Sequence, residues 1–239
     1  MARPYSFLVP SIDRRLSTWI SLEKHRKKEA PPPLRPTVTL SRQYGCEGFI
    51  LAERLKELFD ARTGETWNLY DKALLEKVAQ DDKLSMQVLD HLGDASSRLD
   101  SFAFLFPGHM PHQEAFKHIP KYILEVSEKG NAIVIGRGGA IITQNLKNCY
   151  HFRLVADFDF RVNSIMRRLE MSRKEAEKDV KENERTREKF IRDCLHADIA
   201  DPKHYDAVFN NSRHGVEEIA AAIVAYVARS WPGPGLFKP

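Results

Sequence analysis

The sequence has few cysteines and no long hydrophobic run, and each shortage argues against a class of protein. The three cysteines, Cys46, Cys149 and Cys194, are odd in number and widely separated, and none has a C-x-x-C partner. This usage argues against a disulfide framework and favours reduced thiols. No apolar run approaches the roughly 20 residues of a membrane-spanning helix. The first residues also lack the apolar core of a secretory signal, so we expect a soluble, cytoplasmic protein without a membrane partner.

A metal site is also poorly supported by the residue pattern. His109 and His112 form an H-x-x-H pair in a loop rich in proline and glycine, but no third or fourth ligand lies near them in sequence. Zinc sites need three or four protein ligands. We therefore predict no metal ligands and interpret the two histidines as loop residues.

The loop after the first predicted strand lacks the lysine of the standard phosphate-binding pattern G-x-x-x-x-G-K-[ST]. Thr37–Leu40 is a β-branched, apolar run typical of a buried strand, and Ser41–Gly48 is a polar loop that contains two glycines. Apolar residues at helical spacing begin at Phe49. A strand, a glycine-bearing loop and a helix can aim backbone N–H groups at a phosphate. An anion-binding loop and an ordinary turn both fit this pattern.

The net charge of +4 is concentrated at the beginning of the chain. Residues 1–35 carry eight basic and three acidic residues, whereas the rest carries 29 basic and 30 acidic residues. Ser11 can cap a helix that runs to about Ala30, and the proline-rich segment at 31–36 is typical of a stiff connector. The helix could pack on its own body, form a homodimer, or contact a nucleic acid or a membrane surface. Nucleic-acid binding is disfavoured because the body is nearly neutral.

Strands alternate with helices along the body, which predicts a mainly parallel α/β sheet. The predicted strands are Thr37–Leu40, Thr66–Tyr70, Ala132–Ile135, Tyr150–Val155 and Ala207–Phe209. The predicted helices after the first include Lys72–Gln80, Ala140–Asn145, Phe158–Glu170, Arg173–Cys194 and Val216–Arg229. We divide the chain into residues 1–35, a domain at 36–230 and a tail at 231–239.

Polar residues follow the carboxyl ends of these strands, where parallel sheets bind ligands. These segments are Ser41–Gly48, Asp71-Lys72, Gly136–Gly139, Asp157 and Asn210–Ser212. They supply glycines, carboxylates, amides and one arginine. A purely structural sheet does not require such a set at one edge, so the sequence predicts a binding site there.

Four motifs in this order resemble the cytidylate kinase-like family, a branch of the P-loop nucleoside monophosphate kinases. They are S-R-Q-Y-G-C-E-G at 41–48, L-Y-D-K at 69–72, I-V-I-G-R-G-G at 133–139 and Y-D-A-V-F-N-N-S-R at 205–213. The resemblance extends from about Thr37 to Val227. It implies a P-loop kinase-like three-layer sandwich with a five-stranded parallel sheet, a helical acceptor insert at about 81–129 and a lid at about 161–194. It also implies ATP or another nucleoside triphosphate, with Mg²⁺.

The resemblance assigns roles to individual positions. The nucleotide-binding candidates are Ser41, Tyr44, Gly45, Cys46, Glu47, Gly48, Asn210 and Arg213. The acceptor-binding candidates are Asp71, Lys72, Arg137 and Gly138. The arginines expected to stabilise developing charge, one of which could replace the missing lysine, are Arg42, Arg161, Arg185 and Arg187. Asp71 could equally serve only as a helix cap, and the lid helices could be merely solvated.

Two departures from the family pattern affect the predicted function. Glu47, Gly48 and Phe49 occupy the region of the usual lysine, and Glu47 places a carboxylate beside the expected phosphate site. Gly138 replaces the aspartate of the G-R-D segment of true cytidylate kinases, so selectivity for cytidine is not implied. The chain is therefore expected to be a kinase for a small phosphorylated acceptor, or a catalytically impaired nucleotide-binding regulator or scaffold that acts through residues 1–35.

Overall fold

The computed structural model describes residues 11–12, 14–18, 21, 34–80, 114–233 and 235–237. The described strands are β1 (Thr37–Arg42), β2 (Asn68–Tyr70), β3 (Ala132–Ile135), β4 (Cys149–Val155) and β5 (Ala207–Asn210). The α-helices of the body are α1 (Gly48–Thr63), α2 (Lys72–Gln80), α3 (Glu114–Lys129), α4 (Gly139–Ile142), α5 (Phe158–Leu169), α6 (Arg173–Leu195) and α7 (Val216–Ser230). A short 3₁₀-helix spans Pro202–His204.

The strands form one parallel sheet in the order β2-β3-β1-β4-β5. β1 lies at its centre because the strand is apolar or β-branched along its buried part, as a strand covered on both faces must be. Leu40 pairs with Ile135 of β3 and with Phe152 of β4. The carboxyl ends of β1, β3 and β4 therefore lie side by side.

Two apolar clusters cover the two faces of the sheet. Alternate residues such as Val38 and Ile133 face the cluster formed with α1 and α7, whereas Val134 faces the cluster formed with α2, α3 and the end of α6. This alternation follows from the two-residue repeat of a strand. The predicted three-layer sandwich with a five-stranded parallel sheet is confirmed.

Several predicted boundaries differ from the structure by one to three residues, and two of these differences have a clear local cause. β2 begins at Asn68 rather than Thr66, because Trp67 donates its N–H to Asp60 Oδ1 at 2.7 Å and stacks on Phe59 with ring centroids 4.1 Å apart. α4 ends at Ile142 instead of continuing to Asn145, and a turn follows in which Leu146 N–H donates to Thr143 O at 2.9 Å. A side-chain contact with α1 limits β2, and a backbone turn ends α4.

α5 and α6, the two helices of the predicted lid, are called the lid helices below. They form a small apolar cluster of their own through Val162, Ile165, Ala176 and Val180. A capping box between Ser172 and Glu175 begins α6. The carboxyl end of α6 packs into the apolar cluster that contains Val134. Among the described residues, no helix combines the length and apolar character needed to cross a membrane.

The described part of the N-terminal segment packs on the body of the same chain. Arg14 N–H donates to Ser11 Oγ at 3.3 Å, as expected for a helix cap, and residues 14–18 are helical. Leu16 is buried in the core that also contains Leu74. Most of the N-terminal helix beyond residue 18, which was predicted to run to about Ala30, lies outside the described residues. So do His109, His112 and residues 81–113 of the insert predicted at about 81–129, whereas its remainder forms α3.

Candidate functional site

A cleft of about 480 Å³ opens at the carboxyl ends of β1 and β3. It gathers six of the predicted site residues: Ser41, Arg42, Lys72, Arg137, Gly138 and Arg187. Four of them are cations, and within the described chain the only carboxylate that lines the cleft is that of Glu76. Such an excess of positive charge in a concave site favours an anionic ligand.

The turn after β3 aims Arg137 into this cleft through unusual backbone geometry. Gly136, Arg137 and Gly138 have φ angles of 74°, 51° and 74°, so three consecutive residues are left-handed. A Cβ atom at Gly136 would overlap the Arg42 guanidinium, and one at Gly138 would overlap Leu195 Cδ1. Both positions therefore favour glycine because of φ, and a Cβ atom at either would also require a neighbouring side chain to move. Strain of this kind is typical of functional sites.

The Arg137 guanidinium is only partly satisfied by protein groups. It forms an ion pair with Glu76 and lies 5.1 Å from the centroid of the Phe190 ring. Its Nε is buried and has no hydrogen-bond partner among the described residues. Burial lowers the pKa of Arg137, because the charged guanidinium loses contact with water there. A bound phosphate would supply the missing acceptor.

The other cations of the cleft destabilise one another. Burial and the charge of Arg187 lower the pKa of Arg42 to about 9. Burial, followed by the charge of Arg137, lowers the pKa of Lys72, and burial lowers that of Arg187. Arg187 Nη1 donates to Arg42 O at 2.8 Å, which joins α6 to the end of β1. Clustered positive charge is costly unless an anion joins it.

Arg153 on β4 is a cation buried beside the cleft, where it contacts two lining residues, and it was not among the predicted site residues. Its exposed fraction is 4%, and Nη1 donates to Ser41 Oγ at 3.1 Å and to Tyr205 Oη at 3.4 Å. No described carboxylate forms an ion pair with it. The signal in the sequence was an arginine two residues after His151 within the apolar strand C-Y-H-F-R-L-V, which puts two polar side chains on one face of the strand.

The loop at 43–48 lies outside the cleft, and protein groups already occupy several of its backbone donors. Tyr44 N–H donates to Glu184 Oε2 at 2.5 Å, and Glu47 N–H donates to Asn211 Oδ1 at 2.9 Å. Asn211 is buried, and it lies within the predicted segment Asn210–Ser212. Of the eight-residue motif at 41–48, only the first two residues line the cleft.

Glycines 45 and 48 have a packing role in this state. A Cβ atom at Gly45, whose φ is 95°, would lie 2.7 Å from Arg161 Cβ, and one at Gly48 would lie 3.0 Å from Arg42 Cδ. The Cys46 thiol is buried between them, and burial raises its pKa to about 12. The loop is therefore packed between the lid helices and β1.

The remaining predicted residues lie around the cleft rather than in it. Asp71 accepts the cap hydrogen bond from Leu74 N–H at 2.9 Å and pairs with Arg15 at 3.1 Å, so it connects the N-terminal segment to the body. Arg161 and Arg185 line a separate, open depression between α5 and α6.

The turn after β5 holds the other two nucleotide-binding candidates. Asn210 Oδ1 accepts Ser212 N–H at 2.9 Å, and Arg213 N–H donates to Asn210 O at 3.1 Å. Asn210 thereby shapes the turn that supplies Asn211 to the loop at 43–48.

Comparison with known proteins gives a match in family and in fold. The model of the cytidylate kinase-like family matches residues 37–213. An uncharacterized protein from Eubacterium ventriosum shares 21% identity at a TM-score of 0.64, covering 82% of this chain and 99% of its own. Shikimate kinase from Bacteroides thetaiotaomicron shares 11% identity at a TM-score of 0.46, covering 81% and 98%. A protein from Thermus thermophilus shares 14% identity at 0.45, covering 84% and 100%. None of the curated proteins matches the sequence.

Proposed function

Because the chain belongs to the cytidylate kinase-like family, we propose that it is a phosphotransferase. It moves the γ-phosphoryl group of ATP, or of another nucleoside triphosphate, to a nucleoside monophosphate or a similar small phosphorylated acceptor. The observation that carries this proposal is the cleft in which four cations face one carboxylate. Phosphoryl transfer requires alignment and positive charge more than covalent help. We expect the reaction to take place in the cytoplasm.

Arg137 holds the acceptor phosphate in this proposal. An arginine fork can bind two oxygens of one phosphate, and Arg137 lines the cleft with a buried Nε that has no partner among the described residues. The left-handed turn fixes the backbone from which the side chain extends, so little conformational freedom is lost on binding. Lys72 on α2 adds a second charge from the opposite wall.

Arg42 takes the place of the missing lysine. It is the last residue of β1, and the glycine at 136 leaves room for its guanidinium beside the acceptor turn. Arg187 joins it from the lid helix α6 through the hydrogen bond to Arg42 O. Cations in such positions contribute on the order of 10³–10⁵ in rate by stabilising the charge on the transferring group.

The residues near the loop fit a magnesium ion held mainly by the nucleotide. Mg²⁺ commonly takes one or two carboxylates together with substrate phosphates and water. Glu47 offers one carboxylate next to the loop, and the described residues contain no cluster of three or more metal-ligating acids, histidines or cysteines. When bound, the ion would neutralise charge on the phosphate oxygens.

A second candidate is a catalytically impaired nucleotide-binding regulator or scaffold. It is favoured by one observation: protein groups occupy backbone donors of the loop at 43–48, which also lacks the lysine. This candidate predicts nucleotide binding without turnover. One assay, of turnover with a panel of acceptors, distinguishes this candidate from the phosphotransferase.

That assay couples ADP release to a panel of nucleoside monophosphates and other small phosphorylated acceptors. We expect turnover with at least one acceptor, and Arg137→Gln should raise the acceptor KM at least about tenfold, since it loses a charged phosphate contact. Donor affinity should change less than about twofold. Arg62→Gln, which removes an exposed arginine at the end of α1, is the matched control.

Two results would contradict these assignments. Nucleotide binding without turnover on any acceptor would favour the regulator or scaffold. Equal loss of donor and acceptor affinity in Arg137→Gln would mean that Arg137 does not serve the acceptor specifically.

A further inference from the structure

A carboxylate of lid helix α6 lies where the loop at 43–48 would be expected to bind an anion. Glu184 Oε2 accepts the Tyr44 N–H at 2.5 Å and lies 3.8 Å from Arg161 Nη1. A backbone N–H and a guanidinium are the two donors that proteins most often present to a phosphate oxygen. The side chain of Glu184 is only 13% exposed, so its charge is largely removed from water.

The contact belongs to a packed junction between the loop and the lid helices. Arg161 Nη1 also donates to Tyr44 O at 3.4 Å, so both backbone groups of Tyr44 are held by the lid helices. The Tyr44 side chain packs against the cluster that contains Val162 and Val180. The loop and the lid helices therefore form one unit in this state.

The side chain of Glu184 is directed into the protein, whereas that of the nearby Glu182 is exposed to solvent. The Glu182 side chain is 64% exposed and pairs with Lys178 at 3.8 Å, as is common on a solvated helix. Turning a carboxylate inward costs desolvation energy, which charge-assisted hydrogen bonds must offset. The protein meets this requirement with donors that belong to the loop.

We propose that Glu184 is an internal anion that competes with the donor phosphates for Tyr44 N–H and Arg161. This inference rests on the proposed function, since it takes the loop at 43–48 as the donor site. A triphosphate and the Glu184 carboxylate are both negative and cannot share one N–H at hydrogen-bond distance. Donor binding therefore requires the lid helices to release the loop, and release frees Arg161 for the incoming phosphate.

The test compares wild-type protein with Glu184→Gln and Glu182→Gln by calorimetric titration of the full chain. Two probes are used: ATP with Mg²⁺, and inorganic pyrophosphate. Glu184→Gln should bind both at least about fivefold more tightly, since a charge-assisted hydrogen bond that opposes binding is replaced by a neutral one. Glu182→Gln removes the same charge from the same helix without touching the loop, so its affinities should stay within about twofold.

The outcomes separate this inference from the proposed function. If Glu184→Gln binds both probes no more tightly than wild type, the inference is overturned, even where wild type phosphorylates an acceptor. Tighter binding by Glu184→Gln without turnover on any acceptor supports the inference and overturns the phosphotransfer. If none of the three proteins binds either probe, both are overturned. Amide exchange gives a check without ligand: Tyr44 N–H should lose protection in Glu184→Ala but not in Glu182→Ala.

Discussion

Replacing Gly138 by alanine tests the geometry of the turn that carries Arg137. The φ angle of 74° at this position costs an L-residue about 1–2 kcal/mol. The new Cβ would also overlap Leu195 Cδ1 and lie 3.3 Å from Ile191 Cδ1, and forcing these side chains aside adds about 1–3 kcal/mol. Gly138→Ala should therefore lower the free energy of unfolding by about 2–5 kcal/mol.

Urea denaturation followed by circular dichroism measures this loss, and two further variants divide it into its parts. Gly215→Ala is the matched control, because Gly215 has a φ of −71° and nothing within 4 Å of a new Cβ. It should change the free energy of unfolding by less than about 1 kcal/mol. Leu195→Ala removes the overlapping methyl group. In that background Gly138→Ala should cost mainly the backbone part, about 1–2 kcal/mol, since only the 3.3 Å approach to Ile191 Cδ1 remains.

A loss below about 0.5 kcal/mol for Gly138→Ala would refute the assigned backbone geometry. An equal loss in the wild-type and Leu195→Ala backgrounds would refute the steric part alone. The same reasoning explains why an aspartate, as in the G-R-D segment of true cytidylate kinases, does not fit here without changes in α6.

Three further predictions concern buried polar and titratable groups. Arg153→Met should weaken pyrophosphate binding at least about fivefold, because Arg153 holds Ser41 at the cleft, and unchanged affinity in titration would contradict this role. The same change should keep or raise the free energy of unfolding, because it removes a buried charge that has no carboxylate partner among the described residues. Burial lowers the pKa of His151, so the unfolded state binds a proton near pH 6.5 more readily than the folded state does. The free energy of unfolding, measured with urea, should therefore decrease as the pH is lowered from 7.5 to 5.5. The dependence of the unfolding free energy on pH should be weaker in His151→Gln. An unchanged dependence would mean that a different group causes it. Because burial raises the pKa of Cys46 to about 12, iodoacetamide at pH 8 should label Cys46 by mass spectrometry only after denaturation; native labelling at the denatured rate would disprove its enclosure.

The sheet could be predicted from sequence because its signals are local. Ala132–Ile135 is a continuous apolar run bounded by glycine at 136, and the structure confirms it as a fully buried strand with the predicted limits. Trp67 shows where such signals fail. Its aromatic side chain favours a strand, but a hydrogen bond from its N–H to Asp60 on α1 withdraws it from the ladder. Only the folded chain brings those two residues together.

The cleft could also be predicted in part, because the carboxyl ends of parallel strands lie at the same edge of a sheet. This rule brought Ser41, Lys72 and Arg137 into the same prediction, and all three line the cleft. The rule does not identify partners supplied by distant elements. Glu184 lies 140 residues from Tyr44 in sequence, and its helix carries several acids that remain exposed. Which of these acidic side chains points toward the loop depends on how α6 packs, and the local sequence pattern does not predict it.

The strand order has a consequence for how the site tolerates change. β3, β1 and β4 are neighbours, so Arg42 and Arg153 extend from adjacent strands and Arg137 extends from the turn that follows the third. Arg42 is in register with Leu154 and Arg153 with Ser41, so the side chains of Arg42 and Arg153 leave opposite faces of the sheet. The peptide backbone fixes the spacing of their Cα atoms, since adjacent strands lie about 4.8 Å apart. Sequence divergence in the surrounding segments can change which molecules reach these arginines, while the spacing of the strands stays the same.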